Sequence, residues 1–184
     1  MALSTTDKAT VTSLVTSSVD SAYALLGAVA RQSDATALFT RIYGGTATSA
    51  SLISSRVAGI LSNLQSGLRF KFTFAVLSKD EMGTTAAAWS AAKNCFYING
   101  DWLLTVPEAD RSQRLLWLVV SQMGYAFDSL INTTYDAAGQ EGALLANAVL
   151  GVVPSASQQT ALKDRKSTRL NSSHSSVSRM PSSA

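Results

Sequence analysis

The sequence predicts an α+β fold that is mainly helical, with a small sheet packed on one long buried helix. Three observations lead there. Residues 105–132, TVPEADRSQRLLWLVVSQMGYAFDSLIN, carry the longest helical pattern and are apolar on most sides. Residues 69–77 alternate apolar and polar side chains, the period of a half-buried strand, and CFYIN at 95–99 supplies a second. Residues 1–66 hold three amphipathic segments with cap residues, a helical region that would share one domain with the α+β region at 67–163.

Taken in order, Ser4-Thr5-Thr6-Asp7 can cap a helix running to about Gln32, with Val11, Leu14, Val15, Val19, Ala22, Leu25, Leu26 and Val29 as its apolar stripe. Ser33-Asp34 caps a shorter helix through Tyr43, stopped by Gly44-Gly45. Thr48 or Ser49 starts a third, turning Leu52, Ile53, Val57, Ile60, Leu61 and Leu64 inward, with Gly67 just past its end. In the first strand Phe70, Phe72, Phe74 and Val76 alternate with Arg69, Lys71 and Thr73. Residues 79–92 read as loop or short helix anchored by Trp89.

The central helix is predicted over about 106–131. Thr105 followed three residues later by Glu108 reads as a capping box, and Pro107 is tolerated because first-turn N–H groups have no partner inside the helix. Leu115, Val119, Met123, Ala126 and Leu130 share one face. Leu116, Trp117, Leu118, Val120 and Phe127 make other faces apolar, so this helix belongs in a core. Arg111 and Arg114 read as a solvated face. Gly124 costs about 1 kcal/mol against Ala in a helix interior, which either a close helix–strand approach or simple tolerance explains. Gln140 to Leu150 reads as a last short helix, with Leu144, Leu145 and Val149 inward and Gly151 and Pro154 ending it. Ser155 or Ser157 can begin another.

The segment Asp164 to Ala184, DRKSTRLNSSHSSVSRMPSSA, has no periodicity and a sudden richness in Ser and Arg, the composition of an unstructured tail. It is similar to the conceptual translation of a sequencing adapter, with Ser175-Ser176-Val177 where a variable index would stand, and is left out of fold reasoning as non-native. The natural chain is then expected to continue past Lys163. The tail holds Arg165, Lys166, Arg169 and Arg179 against Asp164. The whole chain has 15 basic and 12 acidic residues, so 11 of each remain and the formal +3 disappears. Nothing then points to nucleic acid. The sole histidine, His174, goes too, which excludes His-based triads, general bases and metal ligands from residues 1–163.

The one cysteine, Cys95, allows no internal disulfide and reads as a small buried hydrophobe. No uninterrupted apolar run reaches the ~18 residues of a spanning helix, so membrane insertion is not predicted. Residues 1–20 lack the basic start and apolar centre of a signal peptide. Gly44-Gly45 lacks the Lys-Ser/Thr of a phosphate loop.

YINGDWL at 97–103, LLWLVVSQMGYAFDSLIN at 115–132 and GQEGALLANAVLGVVP at 139–154 together carry a resemblance. They are similar to a zincin-like domain of large bacterial secreted proteins described as calcium-binding or RTX-like. In that family the helix reads LLEExGHxxD and a later segment GDEGExFAxLVxG. The likeness covers roughly residues 70–163. It implies a zincin-like fold and export to the cell surface or medium through a C-terminal signal; without it, a cytoplasmic protein is the alternative.

The family helix resembles the HExxH helix of zinc peptidases. Positions i and i+4 share a face and can grip one metal, while i+1 aims a carboxylate at the metal-bound water. Carried onto this chain, the ligand positions are Ser121 and Tyr125 and the base position is Gln122. None keeps a competent group, because a neutral hydroxyl binds zinc poorly, a phenol stays protonated near neutral pH and an amide takes no proton. The resemblance thus implies a degenerate, non-catalytic module, with a protein partner or the remainder of the same chain to engage. Asp128, Asp136 and Glu141 survive and could form an all-oxygen site for calcium with Asn132, or serve an atypical metal-dependent hydrolase. Each also has a plain reading as helix, turn or helix-start carboxylate, and GQEGA in place of GDEGE removes two further carboxylates. No cofactor is expected beyond that calcium. The small-residue N-terminal helices leave a helical oligomerisation module as a third alternative.

Overall fold

The computed structural model describes residues 3–44, 49–132 and 140–152. The N-terminal half is three helices, α1 (Thr5–Ala30), α2 (Ala35–Tyr43) and α3 (Ala50–Gln65). Ser4 caps α1 as its sequence predicts, its side chain accepting from the Asp7 amide at 3.1 Å. Val11, Val15, Ala22, Leu26 and Val29 bury the α1 stripe, with Leu14, Val19 and Leu25 half-buried. Ser49 is the N-cap residue of α3. Ile53, Val57, Ile60, Leu61 and Leu64 point inward there, but Leu52 is exposed, because the first turn of α3 overhangs the core. Gly67 lies just past α3 at φ +75°, and the Leu68 amide reaches back to the Asn63 carbonyl to close the helix end. By length and composition α1 could cross a membrane, although no uninterrupted apolar run flags it. Here its stripe packs against α3 and α6.

The sheet has three strands, β1 (Thr73–Leu77), β2 (Ala87–Ser90) and β3 (Cys95–Asn99), in the order β1-β3-β2. β1 runs parallel to β3, with Thr73 opposite Cys95, and β2 runs antiparallel to it, with Ser90 opposite Cys95. β3 is central and buried along its whole length, Cys95 included. The 79–92 segment therefore holds a strand as well as the short helix α4 (Lys79–Met82). Trp89 lies on that strand, its ring centroid 4.7 Å from Phe96. β1 is shorter than the alternating pattern, but Phe70 and Phe72 ahead of it still turn inward with Phe74 and Val76.

Two further expectations change at the entry to the central helix. Asn99 ends β3 and caps a short helix, α5 (Gly100–Thr105), by accepting from the Trp102 amide at 3.0 Å. Its amide nitrogen donates to the carbonyls of Gly83 and Thr85, so one side chain at 1% exposure ties together strand, helix and loop. Thr105 is the last residue of α5, its hydroxyl donating to the Trp102 carbonyl, so it caps nothing downstream. The central helix α6 (Glu108–Ile131) starts after Pro107 with no side-chain cap. Arg111 is not simply solvated: its guanidinium donates to the carbonyls of Leu104 and Val106 and satisfies the end of α5.

Along α6 the buried row is Leu115, Val119, Met123, Phe127 and Ile131, each four residues from the last, with Ala126 beside it. Leu130 is exposed, because Ile131 takes the inward position. Phe127 meets Phe39 of α2 and both Phe70 and Phe72, with ring centroids 5.1 to 6.4 Å apart. The last described helix, α7 (Glu141–Leu150), packs on α6 with Leu145 buried and Val149 half-buried, while Leu144 faces outward. Gly151 ends it in the left-handed region at φ +65°. One continuous core draws side chains from α1, α2, α3, β1, β3, α5, α6 and α7. Pro154, the helix expected from Ser155 or Ser157 and the 164–184 tail lie outside the described residues.

Gly59 sits mid-helix on the exposed side of α3, and a Cβ added there would meet nothing within 4 Å. Gly59→Ala should therefore raise stability by about 0.5–1 kcal/mol through the lost flexibility of the unfolded chain. Chemical denaturation measures it, and a destabilised variant would contradict this placement.

Candidate functional site

Ser121, Gln122 and Tyr125 lie on the middle turns of α6, the first two buried at 3% and 5% exposure and Tyr125 half-buried. Their neighbour is the start of α7. Gly142 seats there so closely that a Cβ would collide with the Ser121 carbonyl oxygen and come within 2.8 Å of the Tyr125 ring. Across the same contact, a Cβ on Gly124 would lie 2.6 Å from the Gly142 Cα. The interior glycine of α6 thus marks a helix–helix approach, where the sequence suggested a strand or mere tolerance. One helical turn from the other end, the Trp117 indole donates to Asn147 Oδ1 at 2.9 Å and fixes the register. With 142 against 121–125 and 147 against 117, the two helices run antiparallel.

This arrangement does not suit a zinc centre. Ser121 and Tyr125 offer neutral oxygens, Gln122 offers an amide, and its Oε1 is buried without a hydrogen-bond partner among the described residues. At two of these three positions α7 packs close, with Gly142 against the Ser121 carbonyl and the Tyr125 ring.

One turn further on, a second polar group collects at the end of α6. Asn132 donates through Nδ2 to Asp128 Oδ1 at 2.7 Å and to the Tyr43 carbonyl at 3.2 Å. The Arg56 guanidinium donates to the Ile131 carbonyl, so the C-terminus of α6 is closed by α2 and α3 together. Asp128 and Glu141 are both buried. Burial raises the pKa of the Tyr43 hydroxyl well above its ordinary range, and the two carboxylates add to the rise. That hydroxyl is 1% exposed as part of Tyr43 and has no hydrogen-bond partner among the described residues. Asp136, the third candidate ligand, lies outside the described residues. Among those described, no three His, Cys, Asp or Glu side chains are placed to hold one metal ion.

Tyr43 was invisible as a site residue in the sequence, where it reads only as the end of α2. Nothing local links it to carboxylates more than eighty positions away. Comparison with protein-family models, with curated proteins and with solved structures returns no match.

Two outcomes follow. Gly142→Ala forces α6 and α7 apart and should cost about 1–3 kcal/mol in denaturation experiments, as overpacking does; an unchanged midpoint would contradict the close approach. Tyr43 keeps its proton in the fold beyond the pH, about 10, at which an unfolded tyrosine releases it. Above that pH the unfolded state binds fewer protons than the native state, so this contribution is intact below about pH 10 and lost as pH rises further. Tyr43→Phe should show a shallower alkaline loss of stability than the parent, with the two within about 1 kcal/mol at pH 7. Identical alkaline slopes would contradict it.

Proposed function

We propose that this chain is a catalytically silent, zincin-like module of a larger bacterial secreted or surface protein, acting as a structural or interaction domain. The observation that supports it most is the packing of Gly142 against the Ser121–Tyr125 turn. A zinc hydrolase needs ligands at i and i+4, a base at i+1 and an open coordination position for water. This turn carries an alcohol, an amide and a phenol, and Gly142 of α7 packs against its Ser121 carbonyl and Tyr125 ring. The module's role is then to present or hold surface: its partner is another protein or the remainder of its own chain, and export runs through a C-terminal signal. Calcium is the ion its remaining carboxylates would suit, by charge and hardness.

The burial of two carboxylates, Asp128 and Glu141, favours one rival, an atypical metal-dependent hydrolase completed by Asp136. Metal analysis of protein purified without chelators, combined with a peptide-cleavage assay, separates the two. Substoichiometric zinc and no cleavage are expected. Stoichiometric zinc that disappears together with activity in the Asp128→Ala/Glu141→Ala double variant would overturn the silent reading.

A further inference from the structure

On the far side of α6 from α7, the core contains a hollow of about 150 Å³. Val19 and Tyr23 of α1, Met123 of α6, Phe96 of β3, and Phe70, Phe72 and Phe74 from β1 and the residues leading into it form its walls. The Phe70 and Phe72 rings stack nearly parallel, their centroids 5.5 Å apart. Exposed Arg69 stands at its mouth, so the hollow is reachable from solvent.

Its polar groups are already engaged. The Tyr23 hydroxyl donates to the Phe70 carbonyl at 3.1 Å, and burial raises its pKa so that it stays neutral. The Arg69 guanidinium pairs with Asp20 at 2.6 Å and lies 5.2 Å above the Tyr23 ring. The mouth is thus close to charge-neutral and the interior offers aromatic faces, a thioether and a methyl pair. A flat apolar ligand of benzene size entering the hollow would take its own surface and that of the rings out of water, which is favourable in proportion to the apolar area covered.

We propose that this hollow is a binding site for one small, neutral aromatic molecule of benzene or toluene size, held by ring contacts with the four phenylalanines and by the Met123 sulfur. The site uses the face of α6 that carries Met123, whereas α7 packs on the face of Ser121, Gly124 and Tyr125, and the proposal stands whether or not the silent-module reading does.

The test is a toluene titration of the full chain, followed by NMR of ¹³C-methyl methionine. Ring-current shifts should move the Met123 methyl signal saturably and leave that of Met82 in place. Val19→Phe fills the hollow and should weaken toluene binding by roughly tenfold or more. Val19→Leu, a milder filler that keeps the fold if the larger ring does not, should weaken it by less. A Met123 signal that does not move up to the solubility limit of toluene would overturn the proposal, as would affinity unchanged in folded Val19 variants. Phenylacetate binding more tightly than toluene, with that preference lost in Arg69→Ala, would overturn the neutral class of ligand.

Discussion

Where α6 and α7 touch, two glycines, Gly124 and Gly142, let backbone meet backbone, and much of the molecule is arranged by that contact. Side chains at either position would hold the helices apart. With them absent, α7 lies down on the middle of α6, Leu145 enters the core, and the Trp117–Asn147 hydrogen bond locks the register. The opposite side of α6 is then free to take α1, α3 and the sheet, with Phe127 joining the rings from α2 and from the approach to β1. A helix surrounded in this way must be apolar nearly all round, which is the pattern that marks it in the sequence.

The same contact bears on chemistry. A helix that grips a metal must leave one of its faces to a cleft, whereas the Ser121 carbonyl and the Tyr125 ring are covered by Gly142. Gln122 Oε1, buried on the same turn with no hydrogen-bond partner among the described residues, carries a desolvation cost that packing elsewhere offsets. The ionisable groups that do gather in the interior, Asp128 and Glu141 around Tyr43, sit at the junction of α2, α6 and α7. There Asn132 and Arg56 also close the end of α6. Arg56 and Asn132 satisfy the Ile131 and Tyr43 carbonyls there, and Asp128 holds Asn132 in place by accepting from its amide.

The long elements were legible because their signals are local and repeated. Helix α1 has a capping serine and a stripe of eight apolar positions; α6 has apolar side chains recurring every three or four residues along its length. Elements missed in the sequence are those that exist because of something distant. Strand β2, Ala87-Ala88-Trp89-Ser90, has little strand propensity, but it pairs with the buried side of β3, whose backbone groups need partners on both edges. Helix α5 is too short to show a period and depends on Asn99, whose other hydrogen bonds go to a loop some fifteen residues earlier. Leu52, Leu130 and Leu144 fit their helical stripes but sit beyond the edges of the core, a boundary that tertiary packing sets. For the candidate site, the lack of strong metal ligands at Ser121, Gln122 and Tyr125 was readable. The close approach of α7 was not, since a glycine gives no sign of which neighbour it admits.

Thiol labelling of a native Ser121→Cys variant, in a Cys95→Ala background, probes the central contact most directly. Serine and cysteine are close in size, so the substitution leaves the packing nearly intact. If α7 covers this turn, the thiol should react only as fast as the protein unfolds, and the rate should rise with denaturant. Labelling at the rate of an exposed cysteine in native buffer would show an open face on α6 and contradict the account.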